Sequence, residues 1–479
     1  MSTRRLWTVL AVALPVLAAL AADLPSVDLA YHLRVGEGIL ATGLIPRTDT
    51  LTFTIDGQPW LDQNWGGQVL FALVFRLAGW TGLAVLRAVL VGLTFACVDA
   101  ACRRAGASER TAALLTIASF GVASFALALR PQLVGIAIFA ALLLLLAERR
   151  RRPRLLWFAV PLVALWANVH GSFVLGLGLL GLTWLTDVLA RAPRPHLALA
   201  VTAVAAVAVT LNPFGLEIWR YAASILASPT ISTRISEWQR PGLDTAEGIA
   251  FVGSAVAFLV AAVFAWRRGR LAWPELLVPA AFFGLGLLAV RGLAWWPLVA
   301  ATTVAGWVGA PASATVEESP RSEPALFRRV NAAVVGLLVL AAIALLPIWR
   351  PVDAGLRAPS GLVGQAPSGI TAALRSLVTP GTRLFAPQPW SSWFEYALPD
   401  ARLFVDSRIE LYPSAVWDEY DAVVEGRGGW QGVLGRRMVT IVVAEPGGGQ
   451  RPLADRLRAD PAWREAYTDK DGAVFVLAG

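Results

Sequence analysis

The sequence predicts a polytopic α-helical membrane protein with about 11 transmembrane helices and a C-terminal extracytoplasmic α/β domain. Of the 479 residues, 56% are hydrophobic and 15% are charged, a balance too apolar for an ordinary soluble domain. The apolar residues form successive runs long enough to cross a bilayer. Beyond Arg350 the composition changes to a mixture with Pro, Gly and charge. We therefore expect a transmembrane domain over residues 1–349 and a soluble domain over residues 350–479.

The membrane helices follow from the apolar runs. The first run comes after Arg4 and Arg5, and we interpret it as an uncleaved span rather than a signal peptide because further spans follow. In chain order we predict helices near residues 6–22, 81–101, 111–129, 132–147, 155–169, 173–189, 197–211, 249–266, 274–290, 296–309 and 331–348.

The arginines predict the orientation. They gather in every second connection, for example at residues 149–152 and at Arg267 and Arg268, and short loops rich in Arg stay in the cytoplasm. With an odd number of spans, the N terminus is cytoplasmic and the C-terminal domain lies outside, which fits a bacterial cytoplasmic (inner) membrane. Nucleic acid is not an expected partner, because the net charge of +8 is spread over these loops.

Two outer connections and the C-terminal region are predicted to be folded. Residues 23–80 contain an amphipathic helix at 28–40, a turn at 46–50, a strand and turn at 51–59, and a second helix at 66–77. The other connection, residues 212–248, is amphipathic between its ends. In the C-terminal domain we predict strands at 383–386, 402–406 and 439–444, helices at 390–397, 414–425 and 452–459, and a hairpin turning at 469–472.

The first outer connection concentrates polar residues that could carry chemistry. Asp28 and His32 are four residues apart and share a face of the predicted helix, so the pair could act as a general base. The alternative is a helix cap at Asp28 and a packed His32. The further candidates in this connection are Arg34, Asp49, Asp62 and Asn64.

Polar residues recur where predicted helices meet the outer face. Such groups are costly at these depths unless they are paired or line a wet cavity, so together they favour a shared polar pocket. Taken singly, each could also be an ordinary residue at a helix end. Arg130 and Arg291 could bind a phosphate, because guanidinium presents paired donors to phosphate oxygens. The set consists of Arg130, Gln132, Asn168, His170, Asn212 and Arg291.

The C-terminal domain offers one further pair. Asp406 ends a predicted strand and Arg408 follows it, and the two either contact an acceptor or form a structural ion pair. The sequence has no Walker loop, dinucleotide fingerprint or HExxH motif. ATP-driven transport and redox chemistry with a soluble cofactor are therefore poorly supported.

Several of these motifs resemble those of a known superfamily. The first outer connection reads DLAYHLRVGE at 28–37, IPRTD at 45–49 and WLDQNW at 60–65, and RPQ, WANVHG, LNP and FVDSR follow at 130, 166, 211 and 404. This set is similar to bacterial membrane proteins related to the GT-C glycosyltransferases, which include protein O-mannosyltransferases and the aminoarabinose transferase of lipid A. The resemblance spans most of the chain.

The resemblance implies a polyprenyl-phosphate-linked sugar donor within the membrane lipid, a catalytic acidic residue in the first outer loop and transfer at the outer face. Asp28 best matches the acidic residue, although relatives often show Asp-Pro-Asp and two tryptophans where this chain has Ser26 and Ala30. We expect Asp28 to take a proton from an unknown glycan, lipid or protein acceptor. Asp49 and Asp62 would orient a substrate or hold a divalent cation, Mg or Mn.

The remaining roles complete this hypothesis. Arg130, His170 and Arg291 would place positive charge beside the leaving phosphate, and the C-terminal domain would position the acceptor. Two other classes stay open. A transporter or flippase for a lipid-linked solute would need charges at mid-helix depth, but Asp99 and Asp187 both lie near predicted cytoplasmic ends. A catalytically silent scaffold would fit the altered residues around Asp28.

Overall fold

The computed structural model describes residues 1–227, 234, 236–309, 323–445 and 451–478. Its α-helices, in chain order, are α1 (Thr3–Ala21), α2 (Ser26–Thr42), α3 (Trp65–Arg104), α4 (Glu109–Ala123), α5 (Pro131–Glu148), α6 (Ala159–Ala167), α7 (Phe173–Leu189), α8 (His196–Ala208), α9 (Glu217–Ala227), α10 (Ala246–Arg267), α11 (Leu277–Leu288), α12 (Trp296–Val308), α13 (Ala325–Ala344), α14 (Ser368–Leu377), α15 (Gln388–Ala397), α16 (Ser414–Val424), α17 (Trp430–Arg436) and α18 (Arg451–Ala459). The strands are β1 (Leu24–Pro25), β2 (Val352–Asp353), β3 (Ala358–Pro359), β4 (Val363–Gly364), β5 (Thr382–Phe385), β6 (Ala401–Leu403), β7 (Ile441–Ala444), β8 (Trp463–Thr468) and β9 (Ala473–Leu477).

Apolar helices occupy the predicted positions, and the chain is a multi-pass helical membrane protein. Within the described ranges, five helices are long and apolar enough to cross a bilayer, namely α1, α3, α5, α10 and α13. The other apolar helices are shorter, so the count of about 11 spans stays a prediction. The helices predicted at 66–77 and 81–101 are joined in α3, which breaks at Gly79, where the backbone is non-helical with φ 57°.

One compact unit consists of Met1–Ala22, Ala84–Ala223 and Ile235–Leu346. In it α1 packs on α4 and α13, and α7 packs on α8. An aromatic cluster fills the space beside α5, where the Phe139 ring lies 5.1 Å from that of Trp295 and the Trp166 ring 5.7 Å from that of Trp295. Helix α5 carries Gly135 against Trp166, and a Cβ there would lie 2.3 Å from the indole nitrogen. This contact fixes how α5 packs, and α5 begins directly after Arg130.

The other unit consists of Asp23–Leu83, Ser224–Arg234 and Pro347–Gly479. Its main sheet has the order β6-β5-β7-β9-β8. Strands β6, β5 and β7 are parallel to one another, and β9 runs antiparallel to both of its neighbours, β7 and β8. Helix α2 packs on α15, and β1 pairs with β4 in parallel. The first outer connection therefore belongs to the same compact body as the C-terminal region.

The C-terminal region is a mixed α/β structure, and the helices and strands predicted there are present with shifted ends. The strand predicted at 402–406 ends at Leu403, because the Asp406 carboxylate accepts a 2.7 Å hydrogen bond from the Arg408 amide and bends the chain. The strand predicted at 51–59 is wrong. Only isolated bridges occur there, one between Thr52 and Leu403, and the chain turns at Gly57 with φ 75°.

Candidate functional site

The predicted site residues fall into two sets, one in each compact unit. The transmembrane unit holds the set that begins with Arg130, and the unit with the sheet holds the set that begins with Asp28. The first contains Arg130, Gln132, Asn168, His170, Asn212 and Arg291, and the second contains Asp28, His32, Arg34, Asp49, Asp62, Asn64, Asp406 and Arg408.

Two guanidinium groups of the first set converge on one carboxylate. Arg130 donates from Nη1 to Oε1 of Glu237 at 2.5 Å, and Arg291 donates from Nε to Oε2 of the same residue at 2.9 Å. Burial alone would raise the pKa of Glu237, but Arg130 and Arg291 outweigh it and hold the pKa at about 2. Glu237 is therefore a resident anion between two cations. All three side chains are half-buried, and Gln132 lines the same small cavity.

The charges of Arg130 and Arg291 act on the imidazole of His170. Burial, Arg291 and Arg130 together lower the pKa of His170 to about 3, so the ring is neutral at physiological pH. The Ser172 amide donates to Nδ1 at 3.1 Å, which leaves the proton on Nε2. His170 can thus offer an N–H donor, but it does not supply the positive charge expected of it.

The two asparagines of this set tie helix ends together. Asn168 donates to the Leu211 carbonyl at 3.0 Å, and Asn212 donates to the Val209 carbonyl and accepts from the Phe214 amide at 2.6 and 2.7 Å. The Asn168 bond holds the end of α6 against the end of α8, and the Asn212 bonds shape the turn that follows α8. They agree with the interpretation of both asparagines as helix-end residues, and their predicted role in substrate binding stays a prediction.

In the other unit, Asp28 lies half-buried in the first turn of α2. Tyr31, one turn further on, is buried, and its pKa is raised by burial and then by the charge of Asp28. The charge of Asp62 acts on Tyr31 as well. The Tyr31 ring lies 4.0 Å from that of His32. Helix α2 therefore gathers a carboxylate, a phenol and an imidazole beside a second carboxylate.

Asp62 and His32 are joined through an amide. Gln68 donates from Nε2 to Asp62 at 2.9 Å, and the same nitrogen lies 3.3 Å from Nδ1 of His32. Burial raises the pKa of Asp62 to about 7, although Arg408 opposes the shift. Asp62 can therefore gain or lose a proton near neutral pH. Of the oxygens here, Oδ2 of Asp62, Oδ1 of Asn64 and Oε1 of Gln68 are buried without a hydrogen-bond partner.

Asp406 and Arg408 form a buried ion pair, which was one of the two interpretations left open by the sequence. Arg408 donates from Nε to Asp406 at 2.8 Å and from Nη2 to Asp49 at 2.6 Å. Burial alone would lower the pKa of Arg408, but Asp406 and Asp49 raise it well above its usual range. The guanidinium also lies 4.4 Å from the ring centre of Trp60. This cluster fastens the first outer connection to the C-terminal sheet.

Arg34 lies apart from that cluster, on the wall of a surface cavity of about 300 Å³. Thr50, Asp400 and Arg402 line the cavity with it, and the buried Glu395 contributes to its wall.

Among the described residues there is no group of three or more His, Cys, Asp or Glu side chains that could hold a metal ion. Asp49 is already bonded to Arg408 and Thr52, so of the two predicted cation ligands Asp62 fits better.

The sequence missed three residues of these sets as site residues. Glu237 lay within the connection 212–248 without being singled out, Tyr31 was part of a motif, and Gln68 lay within the helix predicted at 66–77. A signal existed for Gln68, because it lies six residues after Asp62 at the start of an apolar helix. For Glu237 there was none, because its partners lie 107 and 54 residues away.

Solved structures share this fold. The oligosaccharyltransferase of Archaeoglobus fulgidus, tethered with an acceptor peptide, is 14% identical, with 93% of this chain and 69% of that chain covered and a TM-score of 0.61. ArnT from Cupriavidus metallidurans in the apo state is 14% identical, with 99% and 98% covered and a TM-score of 0.54. The same protein bound to undecaprenyl phosphate is 15% identical, with 97% and 96% covered and a TM-score of 0.50.

Along nearly its whole length, the chain is thus structurally similar to GT-C glycosyltransferases, which confirms at the level of fold the resemblance carried by the motifs. No protein-family model matches the sequence, and no curated protein is significantly similar to it.

Proposed function

We propose that the chain is an inverting membrane glycosyltransferase that takes a sugar from a polyprenyl-phosphate-linked donor and gives it to an acceptor. The GT-C-like fold supports this proposal, as do the undecaprenyl phosphate of ArnT and the acceptor peptide of the oligosaccharyltransferase among its structural neighbours. The observation that carries it is the convergence of Arg130 and Arg291 on the single carboxylate of Glu237, because that geometry is an anion site.

Arg130 and Arg291 would bind the phosphate of the donor. In the transfer step the bond between the anomeric carbon and the phosphate oxygen breaks, and negative charge grows on that oxygen. Guanidinium groups held in place before the reaction stabilise this charge without a reorganisation cost. The neutral His170 adds an N–H donor, which is weaker than a cation but does not repel the arginines.

Asp28 would act as the base. The acceptor hydroxyl or amine attacks the anomeric carbon from the face opposite the phosphate, and its proton passes to the Asp28 carboxylate. His32 and Asp62, joined through Gln68, would orient the reacting groups and share the proton.

The proposal places the reaction at the outer face of a bacterial cytoplasmic membrane, with the N terminus in the cytoplasm. Arg130 precedes α5, and Arg149 and Arg150 follow its other end. This asymmetry supports an outer Arg130 and a cytoplasmic Arg149.

Transfer of radiolabelled sugar from a polyprenyl-phosphate donor in proteoliposomes tests the proposal. Asp28→Asn should lower the rate by at least about a hundredfold, because a carboxamide cannot take the proton. Asp56→Asn, a change in the same connection outside α2 at an exposed ion pair with Arg402, is the control and should leave the rate within about twofold of wild type. Donor binding without transfer by the wild-type chain would instead support the catalytically silent scaffold, and equal rates for Asp28→Asn and wild type would remove Asp28 as the base.

A further inference from the structure

The carboxylate between Arg130 and Arg291 occupies the position that the proposed donor phosphate needs. We infer that Glu237 is a resident competitor at this anion site, and that a phosphate ester binds only by displacing it. This inference rests on the proposed function, because it concerns the same two arginines. The inference adds to the proposed function that Glu237 determines which anions the site accepts.

The available space supports displacement. With Glu237 in place, the cavity that it shares with Arg130, Gln132 and Arg291 has a volume of about 50 Å³. Pockets for small molecules begin at roughly 300 Å³, so a sugar phosphate does not fit beside the carboxylate. Glu237 engages Nη1 of Arg130 and Nε of Arg291, and guanidinium nitrogens of this kind are the donors that phosphate oxygens accept from.

The segment that carries Glu237 is suited to move. It is a single 3₁₀ turn, Ser236–Trp238, in the connection before α10. Beyond the two ion pairs it is held by a 3.0 Å hydrogen bond from the Val290 amide to the Gln239 carbonyl. The Arg291 guanidinium lies 5.6 Å from the ring centre of Trp238. Among the described residues, few bonds would therefore break if the turn withdrew.

A resident carboxylate makes the site selective. Without it, two neighbouring guanidinium groups would attract any small anion. With it, an incoming anion must replace two charge-assisted hydrogen bonds, which a phosphate ester can do with several oxygens and a charge between one and two units. Because Glu237 remains ionised far below neutral pH, this competition operates throughout the physiological range.

Binding of farnesyl phosphate and of inorganic phosphate to the purified full-length chain tests the inference. Glu237→Gln should bind farnesyl phosphate about tenfold more tightly than wild type or better, and it should bind inorganic phosphate measurably where wild type does not. The matched control is Glu148→Gln, which breaks the 2.8 Å pair with Arg104 at the far end of α5. It should leave both affinities unchanged.

Hydrogen exchange on the wild-type chain separates displacement from simple charge removal. If farnesyl phosphate expels Glu237, the Val290 amide loses its partner and exchanges faster on binding. Unchanged protection at Val290, or an unchanged or weaker affinity in Glu237→Gln, overturns the inference while the phosphate site remains. If Arg291→Gln binds farnesyl phosphate as wild type does, the proposed phosphate site itself is wrong.

Discussion

The guanidinium of Arg408 lies 2.6 Å from the carboxylate of Asp49, although 359 residues separate the two in sequence. Both side chains are almost completely buried. Asp49 also accepts hydrogen bonds from the amide and hydroxyl of Thr52. Arg408 of the C-terminal domain therefore holds in place the connection that also carries Asp28.

Arg408→Met should therefore strongly destabilise the chain, because it leaves Asp49 and Asp406 as buried carboxylates without their cation. Breaking a buried pair from one side costs about 3–5 kcal/mol. The control is Arg402→Met, which removes a 2.7 Å pair with Asp56 between the same two segments. That pair is well exposed and is worth about 0–1 kcal/mol. The measurement is the unfolding transition of both variants in one detergent, and equal losses would show that burial does not strengthen the Arg408 pair.

Gly36→Ala should separate α2 from the start of α3. A Cβ on Gly36 would lie 2.2 Å from the carbonyl oxygen of Gln68, and Gln68 bridges His32 and Asp62. We expect a loss of about 1–3 kcal/mol from the overpacking and a lower transfer rate.

Gly38, two residues later in the same helix, has nothing within 4 Å of its own added Cβ. Gly38→Ala should be neutral or stabilise the helix by up to about 1 kcal/mol. Thermal unfolding and transfer assays on both variants check the pair. Equal behaviour of Gly36→Ala and Gly38→Ala would argue against a tight contact between the two helices.

How far the sequence predicted the fold depended on whether a local signal existed. The apolar run of α10 is recognisable because nothing but a bilayer or a core accommodates it. The alternation of Thr and apolar residues after Leu51 predicted a strand, but the Asp49 side chain takes the Thr52 amide at 3.1 Å and the partner strand ends at Leu403. A side chain that takes a backbone hydrogen bond away from a strand cannot be recognised from the alternation of apolar and polar residues.

The site follows the same rule. Arg130 and Arg291 could be selected from the sequence as candidates, because a charged side chain at the end of a membrane helix is costly unless it is paired or lines a wet cavity. Their meeting on Glu237 depends on how three distant segments pack, which no spacing encodes. The two open interpretations of Asp406 and Arg408 could be separated only by their burial in the folded chain.

Asp62 should make the stability of the chain depend on pH. Burial raises its pKa to about 7 from an ordinary value of about 4, so the folded state favours the protonated acid. Its stabilising contribution is complete below about pH 4 and is lost as the pH rises through about 7. Asp62→Asn, which cannot ionise and can still accept from Gln68, should therefore gain stability relative to wild type as the pH rises from about 4 to about 7.

The size of this gain is bounded by the pKa shift, at up to roughly 4 kcal/mol. Unfolding midpoints of wild type and Asp62→Asn across this pH range measure it. Asp418→Asn is the control, because Asp418 is exposed, where its amide replacement should not change the pH dependence. A constant difference between wild type and Asp62→Asn at all pH values would mean that Asp62 does not titrate in this range.

Arg130→Lys should weaken the binding of farnesyl phosphate, although the substitution keeps the positive charge. A lysine keeps the cation but loses the planar set of donors that can engage two phosphate oxygens. We expect about a tenfold or greater loss of farnesyl phosphate binding. Arg149→Lys, at the opposite end of α5 in a pair with Asp187, should bind the ligand normally. Wild-type affinity in Arg130→Lys would indicate that only the charge matters.

The pairing of Asp49 with Arg408 has a consequence for biosynthesis. At about 5–20 residues per second, a ribosome needs roughly 20 to 70 s to travel from one codon to the other. During that interval the segment bearing Asp28 has already been made, but its anchoring arginine has not. A nascent or prematurely terminated polypeptide therefore carries an unfastened acidic loop, and the loop is fastened only after Arg408 has been synthesised.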